Sequence, residues 1–285
     1  MKAAPFAYHA PASLDEVLAT LAEFAPLEGR ILAGGQSLVP MMAFRMARPA
    51  HLIDINSIAG FDRLSVEGNV LSIAPCVRHA AFHHAAAPGP TGALLSTVVK
   101  NIAHYPIRLR GTFCGSLAHA DPASEWCLTA ATLGAEMVAA SQHGRRVIAA
   151  PDFFAGMMET ALADDELLLE TRLPLLAPDE RFGFYEFSRR TGDYALAMAL
   201  TTYRLRDGLI AEPRVGVGGA EAKPRRIAAA EVVLAGREPV GETFRAAAEA
   251  AVESIEPLED VHADAAFRLD LVRAVTRRAL ERTLT

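Results

Sequence analysis

Two short stretches carry residue types suited to gripping an anion. In Ala33-Gly34-Gly35-Gln36-Ser37 the adjacent glycines remove every Cβ from the turn, so the backbone can take positive φ and come close to a bulky ligand. Ser37 stands where a helix N-cap belongs, which would leave free N–H groups and the positive end of a helix facing the turn, as a phosphate site requires. The same residues equally make a strand-to-helix turn that holds nothing, because a lone glycine pair is a weak signal. In the second stretch, residues 111–122, Thr112, Gly115 and Ser116 supply small side chains, two hydroxyls and close backbone approach. Asp121-Pro122 then reads as an N-cap with proline at the first helical position, opening a helix that runs through Leu133. Glu125 in its first turn either complements the helix dipole or accepts from ribose hydroxyls beside a pyrophosphate. Two such turns in one chain suit a dinucleotide.

Other reactive side chains point to less. His79 and His83 are spaced i, i+4 in an expected helix and could present two imidazoles to a metal, yet no carboxylate of the HExxH type lies between them. Solvated or partly buried histidines account for them better. Cys76, Cys114 and Cys127 are an odd number without a CxxC pair, which argues against a disulfide framework and against a zinc or iron–sulfur site in this chain. Ser37 and Ser116 lack the GxSxG elbow, and no histidine has a paired acid. The difficult chemistry therefore falls to a cofactor. A net charge of −6 with no long basic run excludes the electrostatic footprint of nucleic-acid binding. The longest apolar runs, such as residues 195–200, fall far short of the ~20 residues that cross a bilayer, and residues 1–11 show no secretory h-region. A cytoplasmic location is expected.

The elements that must position these residues can be read from periodicity and turn chemistry. Ser13 to Glu16 have capping-box spacing, and Leu14, Val17, Leu18 and Leu21 follow at helical period. Residues 31–33 and 52–55 are short apolar strands on either side of the glycine turn and a helix over 38–46, a β-α-β unit. Arg45 and Arg48 complement the C-terminal end of that helix or, less favourably because that end points away from Gly34 and Gly35, bind phosphate. Residues 63–74 form a hairpin about Gly68-Asn69, residues 94–103 a helix, and residues 137–149 a second hairpin turning at 142–144. Strands over 182–188, 195–206 and 209–217 make a meander, the last two joined at Asp207-Gly208. Helices follow over 228–234, 243–254 and 263–284. On the last, Arg268, Arg273, Arg277 and Arg282 read as a solvated face or as a docking surface for an acidic partner.

With Arg48-Pro49, with Arg189-Arg190-x-Gly192-Asp193-Tyr194-Ala195, and with Gly216-x-Gly218-Gly219 leading to Pro224-Arg225, the two anion-ready stretches resemble the FAD-binding subunits of the molybdenum hydroxylases. That family includes the medium subunit of carbon monoxide dehydrogenase and the flavin domain of xanthine dehydrogenase. The resemblance covers nearly the whole chain and implies an α+β fold. It implies a two-lobed FAD-binding domain of the PCMH (vanillyl-alcohol-oxidase-like) type, with an N-terminal α/β lobe over 1–57 and a second α/β lobe over 58–176. A C-terminal α+β domain over 177–285 would add a small antiparallel sheet and helices.

By the same resemblance FAD is the cofactor. Leu32, Ala33, Gly34, Gly35, Gln36, Ser37 and Leu38, together with Thr112, Gly115 and Ser116, would bind it around the pyrophosphate. Glu125 would hold a ribose hydroxyl, Ala103 and Leu168 would line the cofactor, and Tyr194 would cover the isoalloxazine ring. No residue of this chain would be catalytic or bind metal. The partners implied are an iron–sulfur small subunit carrying [2Fe-2S] clusters and a large subunit carrying molybdopterin, in a dimer of heterotrimers, with electrons passing through FAD to an external acceptor. Two residues depart from the pattern. Cys114 stands where relatives have glycine, bringing a Cβ and sulfur into the turn, and Glu186 stands where relatives often have a lysine near the ring. A carboxylate there would disfavour an anionic reduced flavin. Two further readings stay open: a stand-alone flavoprotein oxidoreductase, and a scaffold subunit that has lost FAD.

Overall fold

The computed structural model describes residues 2–284. The chain begins with β1 (Ala7–His9), α1 (Leu14–Phe24), β2 (Gly29–Leu32), α2 (Leu38–Ala43) and β3 (His51–Asp54). Ser13 caps α1 by accepting from the Glu16 amide at 3.2 Å, and Val17, Leu18 and Leu21 form its buried face. The Glu16 carboxylate reaches back to the Ala12 amide at 2.8 Å. β3 lies between β1 and β2 and is parallel to both, so the β2–α2–β3 unit forms as expected and β1, three residues long, joins at an edge. α2 is shorter than the periodicity predicts. Arg45 adopts φ 59° and ends it.

The middle of the chain contributes β4 (Leu64–Glu67), β5 (Val70–Ile73), α3 (Gly89–Val98), α4 (Tyr105–Arg108), α5 (Phe113–His119), α6 (Glu125–Leu133), β6 (Glu136–Ser141), β7 (Gly144–Ala149), α7 (Ala150–Phe153), β8 (Phe154–Gly156), β9 (Glu159–Thr160) and β10 (Leu167–Pro174). Both expected hairpins form, and β10 joins them into one sheet of order β4-β5-β10-β6-β7, while β8 and β9 pair separately. Every pairing in the five-stranded sheet is antiparallel. The second lobe is therefore α+β and not α/β, its helices being inserted as a group between two hairpins instead of alternating with strands.

Helix starts here differ from the sequence expectation. α3 begins at Gly89, and α6 is capped by Ser124, whose Oγ accepts from the Cys127 amide, in place of Asp121. The Asp121 carboxylate instead accepts from the Ala123 amide at 2.9 Å, closing a local turn that leaves the cap to Ser124. α5 was not anticipated at all. Thr112 starts it, its Oγ1 accepting from the Gly115 amide at 3.1 Å.

The last third forms an antiparallel sheet of order β11-β12-β13-β14 from β11 (Arg181–Ser188), β12 (Ala195–Arg206), β13 (Leu209–Gly218) and β14 (Arg225–Arg226), followed by α8 (Ala228–Leu234), α9 (Gly241–Ser254) and α10 (Ala265–Glu281). α10 packs on β11 and β12 and against α9. Its arginines do not form one solvated face. Arg268 is only 2% exposed, donating to the Leu196 and Gly219 carbonyls at 2.8 and 2.7 Å and to Asp260 at 2.8 Å. Arg273 pairs with Glu249 and Asp270 and Arg277 with Glu281 on the surface, while Arg282 donates to the Phe184 carbonyl and lies over the Tyr185 ring.

Three apolar cores hold these parts together. One joins α1 and β3 to Ala140 and Leu167, so the first sheet is seated on the second. The largest runs from Leu71 to Leu200 and encloses α6, all nine of whose residues are buried. The third lies between the C-terminal sheet and α8 to α10.

Candidate functional site

The glycine turn and the second anion-ready stretch meet. A Cβ on Gly34 would lie 2.4 Å from the Arg110 carbonyl oxygen and 2.7 Å from Gly111 Cα, so only glycine allows the two backbones to touch here. Gly35 supplies the positive φ, 69°. Behind this junction opens a cleft of 1060 Å³, at the upper end of the roughly 300–1,000 Å³ typical of small-molecule sites. Leu32, Ala33, Gly34, Gly35, Gln36, Ser37 and Leu38 line it, together with Thr112, Gly115, Ser116 and Leu168. Leu168 comes from β10 beside a bulge and is 4% exposed.

The donor chemistry of the cleft suits an anion. Among the described residues no group accepts from the amides of Gly34, Gly35, Gln36, Ser37 and Leu38, and neither Ser37 Oγ nor Ser116 Oγ has a protein partner. The Gln36 side-chain amide donates to the Gly34 carbonyl at 3.0 Å, which occupies that acceptor. Five consecutive unpaired N–H groups are rare in a folded chain and mark a place where a ligand or water must accept. Ser37 occupies the N-cap position of α2 with a helical backbone and makes no capping bond, contrary to the sequence expectation. Because α2 is only six residues long, Arg45 and Arg48 line this cleft too, where the longer expected helix would have carried them away. Of the carboxylates in the lining, Glu166 is engaged by Arg146 at 2.7 Å and by the Ala163 amide.

The remaining expected site residues do not line this cleft. Ala103 and Glu125 gather elsewhere, at Arg108, and Tyr194 lies near Glu125. Arg108 donates to the Ala103 carbonyl at 2.9 Å and its charge acts on Glu125. The turn after β11 rests on the same spot, since a Cβ on Gly192 would meet His104 and the Ala103 carbonyl. Tyr194 is 72% exposed, with its phenol pKa raised by partial burial and then by the charges of Asp121 and Glu125.

Glu125, at the first position of α6 and 8% exposed, faces Glu186 on β11. Burial raises the pKa of both carboxyls, and for Glu186 the neighbouring charge of Glu125 and their mutual hydrogen bond raise it further. Glu186 Oε2 is buried with no partner. Burial against Glu125 thus pushes Glu186 towards its neutral form, so it does not place a fixed negative charge there, as the sequence alone suggested.

Cys114, the other departure, is 2% exposed and turns its sulfur into the core, 3.3 Å from Thr171 Oγ1 and 3.4 Å from the Ile73 carbonyl. Cys114 still borders the cleft, but the partners of its sulfur lie on the core side. His83 contacts Arg108, and His79 is buried against Trp126, whose Nε1 donates to its Nδ1 at 2.9 Å. No local pattern signals that pairing, because 47 residues separate the two partners.

Comparison with known proteins accounts for the chain from end to end. Residues 4–176 match the family described as the FAD binding domain in molybdopterin dehydrogenase, and residues 182–283 match the CO dehydrogenase flavoprotein C-terminal domain. The nicotine 6-hydroxylase medium subunit of Paenarthrobacter nicotinovorans is 37% identical over 98% of both chains. The carbon monoxide dehydrogenase medium chain of Hydrogenophaga pseudoflava is 31% identical over 96% of each. Among solved structures, quinoline 2-oxidoreductase from Pseudomonas putida 86 superposes with a TM-score of 0.92 at 37% identity, covering 100% of this chain and 99% of that one.

Proposed function

This chain belongs to the FAD-binding family of the molybdopterin dehydrogenases, and on that premise we propose that it is the flavin-carrying, electron-transferring medium subunit of a molybdenum hydroxylase. The observation that carries the reading is the run of five unpaired amides at the junction of the two motifs, opening on a cleft large enough for a dinucleotide. Bound FAD would supply the electron-transfer chemistry that no side chain of this protein provides.

The chain's own part is to hold and orient. The amides of Gly34 to Leu38 and the hydroxyls of Ser37 and Ser116 donate to phosphate oxygens, charge-assisted bonds of the stronger kind. Gly34 fixes the two loops against each other, and Leu168 closes the floor of the cleft with apolar surface. We assign Ala103 and Tyr194 to the flavin end of the cofactor and Glu125 to its neighbourhood, on their match to the family's motifs.

The partners are an iron–sulfur small subunit and a molybdopterin large subunit in a dimer of heterotrimers, and we place the complex in the cytoplasm. Three free cysteines suit a reducing compartment, and among the described residues no helix is long and apolar enough to cross a membrane.

Gly35→Val tests the assignment. A Cβ there would lie 3.1 Å from Leu32 Cδ1 and 3.2 Å from Val39 Cγ2, and a β-branched residue cannot hold φ 69° without strain. The purified variant should keep its circular dichroism and lose most of its flavin absorbance. Flavin at wild-type occupancy would remove this turn from the site. A wild-type chain that binds no flavin would instead favour the scaffold reading, and one that oxidises a reductant substrate alone would favour a stand-alone flavoprotein.

A further inference from the structure

His79 lies on the wall of the cleft with its side chain almost wholly buried, at 4% exposure. Its ring is held on one side by the indole Nε1–H of Trp126, which donates to Nδ1 at 2.9 Å. An indole nitrogen can only donate, so Nδ1 must carry a lone pair. That excludes the imidazolium, which would bring two N–H groups head to head, and leaves the neutral tautomer with its proton on Nε2. The low pKa agrees, pushed down to about 3 by burial first and then by the charges of Arg108 and Arg78.

The Nε2–H has no acceptor among the described residues. It sits beneath Gly111, where a Cβ would lie 2.5 Å from Nε2, so any side chain at 111 would cover it. Gly111 is also the residue that Gly34 touches, and its carbonyl accepts from the His79 amide at 2.9 Å. An unpaired donor thus stands at the junction from which the five free amides open. Trp126 is itself fixed, fully buried and packed 5.0 Å from the Phe82 ring and 4.8 Å from that of Phe113, the first residue of α5.

We propose that His79 is a ligand-binding residue of the cleft, locked by Trp126 as the Nε2–H tautomer so that it donates one hydrogen bond to an anionic oxygen of the bound dinucleotide. The inference rests on the proposed function, in that the cleft takes the phosphates of FAD. Trp126 acts through His79 and is a positioning residue. A neutral donor gives the anion a directed bond without adding a buried charge to the site, whose desolvation would be costly.

The test uses the full chain, stripped of flavin and titrated with FAD by calorimetry. His79→Asn keeps an acceptor for Trp126 in its Oδ1 and places nothing at Nε2. It should weaken FAD binding about tenfold or more, as expected for a lost hydrogen bond to a charged group, and leave the melting temperature nearly unchanged. Trp126→Phe should weaken binding less, by letting the tautomers mix, and Trp126→Phe added to His79→Asn should cost nothing further. Nitrogen-15 NMR of the wild-type histidines gives a readout independent of either variant: one His79 nitrogen protonated at neutral pH, the Nε2, and only that signal moving when FAD is added. An Nδ1–H tautomer, a cationic ring, an Nε2 signal that ignores FAD, or undiminished affinity in His79→Asn would overturn the proposal. A wild-type chain that takes up no FAD would overturn the proposed function itself, a result these outcomes do not mimic.

Discussion

Glu186 shows how far one residue's meaning depends on a partner distant in sequence. Alone it reads as a negative charge; buried beside Glu125, its carboxyl is pushed towards the neutral form. Both carboxyl pKa values are higher in the folded chain than in the unfolded one, so the folded state binds more protons. Their contribution is fully present below the ordinary carboxyl value of ~4.3 and is lost as pH rises through the raised values. Glu186→Gln, whose amide cannot ionise, should therefore gain on the wild type as pH rises from 6 to 9, by roughly 1–2 kcal/mol. Melting curves at three pH values check this, and parallel curves would mean that the pair is solvated. The site was legible only in part for the same reason. The motif residues from Leu32 to Leu38 and Thr112, Gly115 and Ser116 announce themselves by local type and spacing, and they line one cleft. The links between Glu125 and Glu186, and between His79 and Trp126, span 61 and 47 residues and leave no local pattern.

Elements were legible where a turn and a period agree. The hairpins about Gly68-Asn69 and Asp207-Gly208 and the helix over 228–234 lie where alternation and turn residues put them. α5 escaped notice because Phe113-Cys114-Gly115-Ser116 shows neither a clear helical period nor good helix formers, and burial of Phe113, Cys114 and Leu117 supplies what propensity lacks. The antiparallel second sheet was obscured because its closing strand, β10, follows β5 by more than ninety residues. So short a helix as α5 depends on its cap. Thr112→Val removes the Oγ1 that accepts from the Gly115 amide and should cost about 1 kcal/mol, read from urea unfolding, with a parallel loss of FAD affinity as the second motif loosens. Unchanged stability would show that the aromatic cluster on Phe113, not the cap, holds the helix start.

At the scale of the molecule, three cores are joined by a few polar anchors, among them the buried Arg268. It ties α10 to the start of β12, to the end of the β13 strand and to the loop bearing Asp260. Asp260 is partly exposed, so most of the anchor's value lies in its bonds to the buried Leu196 and Gly219 carbonyls. Arg268→Met should destabilise the chain by about 3 kcal/mol in urea titrations without altering the flavin spectrum, and a loss under 1 kcal/mol would mean that water replaces the guanidinium. The three cysteines lie in two of these cores, Cys76 in the one under α1 and Cys114 and Cys127 in the largest, and burial pushes their thiols up to about 11, 12 and 12. Cysteine sulfur reacts with peroxide as thiolate, and at physiological pH these side chains hold almost none. For a chain of a family that passes electrons through a flavin, the consequence is that peroxide finds little to oxidise at these three cysteines, which are buried and in their unreactive form, and the exposed thioethers of Met46, Met157 and Met158 are left as its targets.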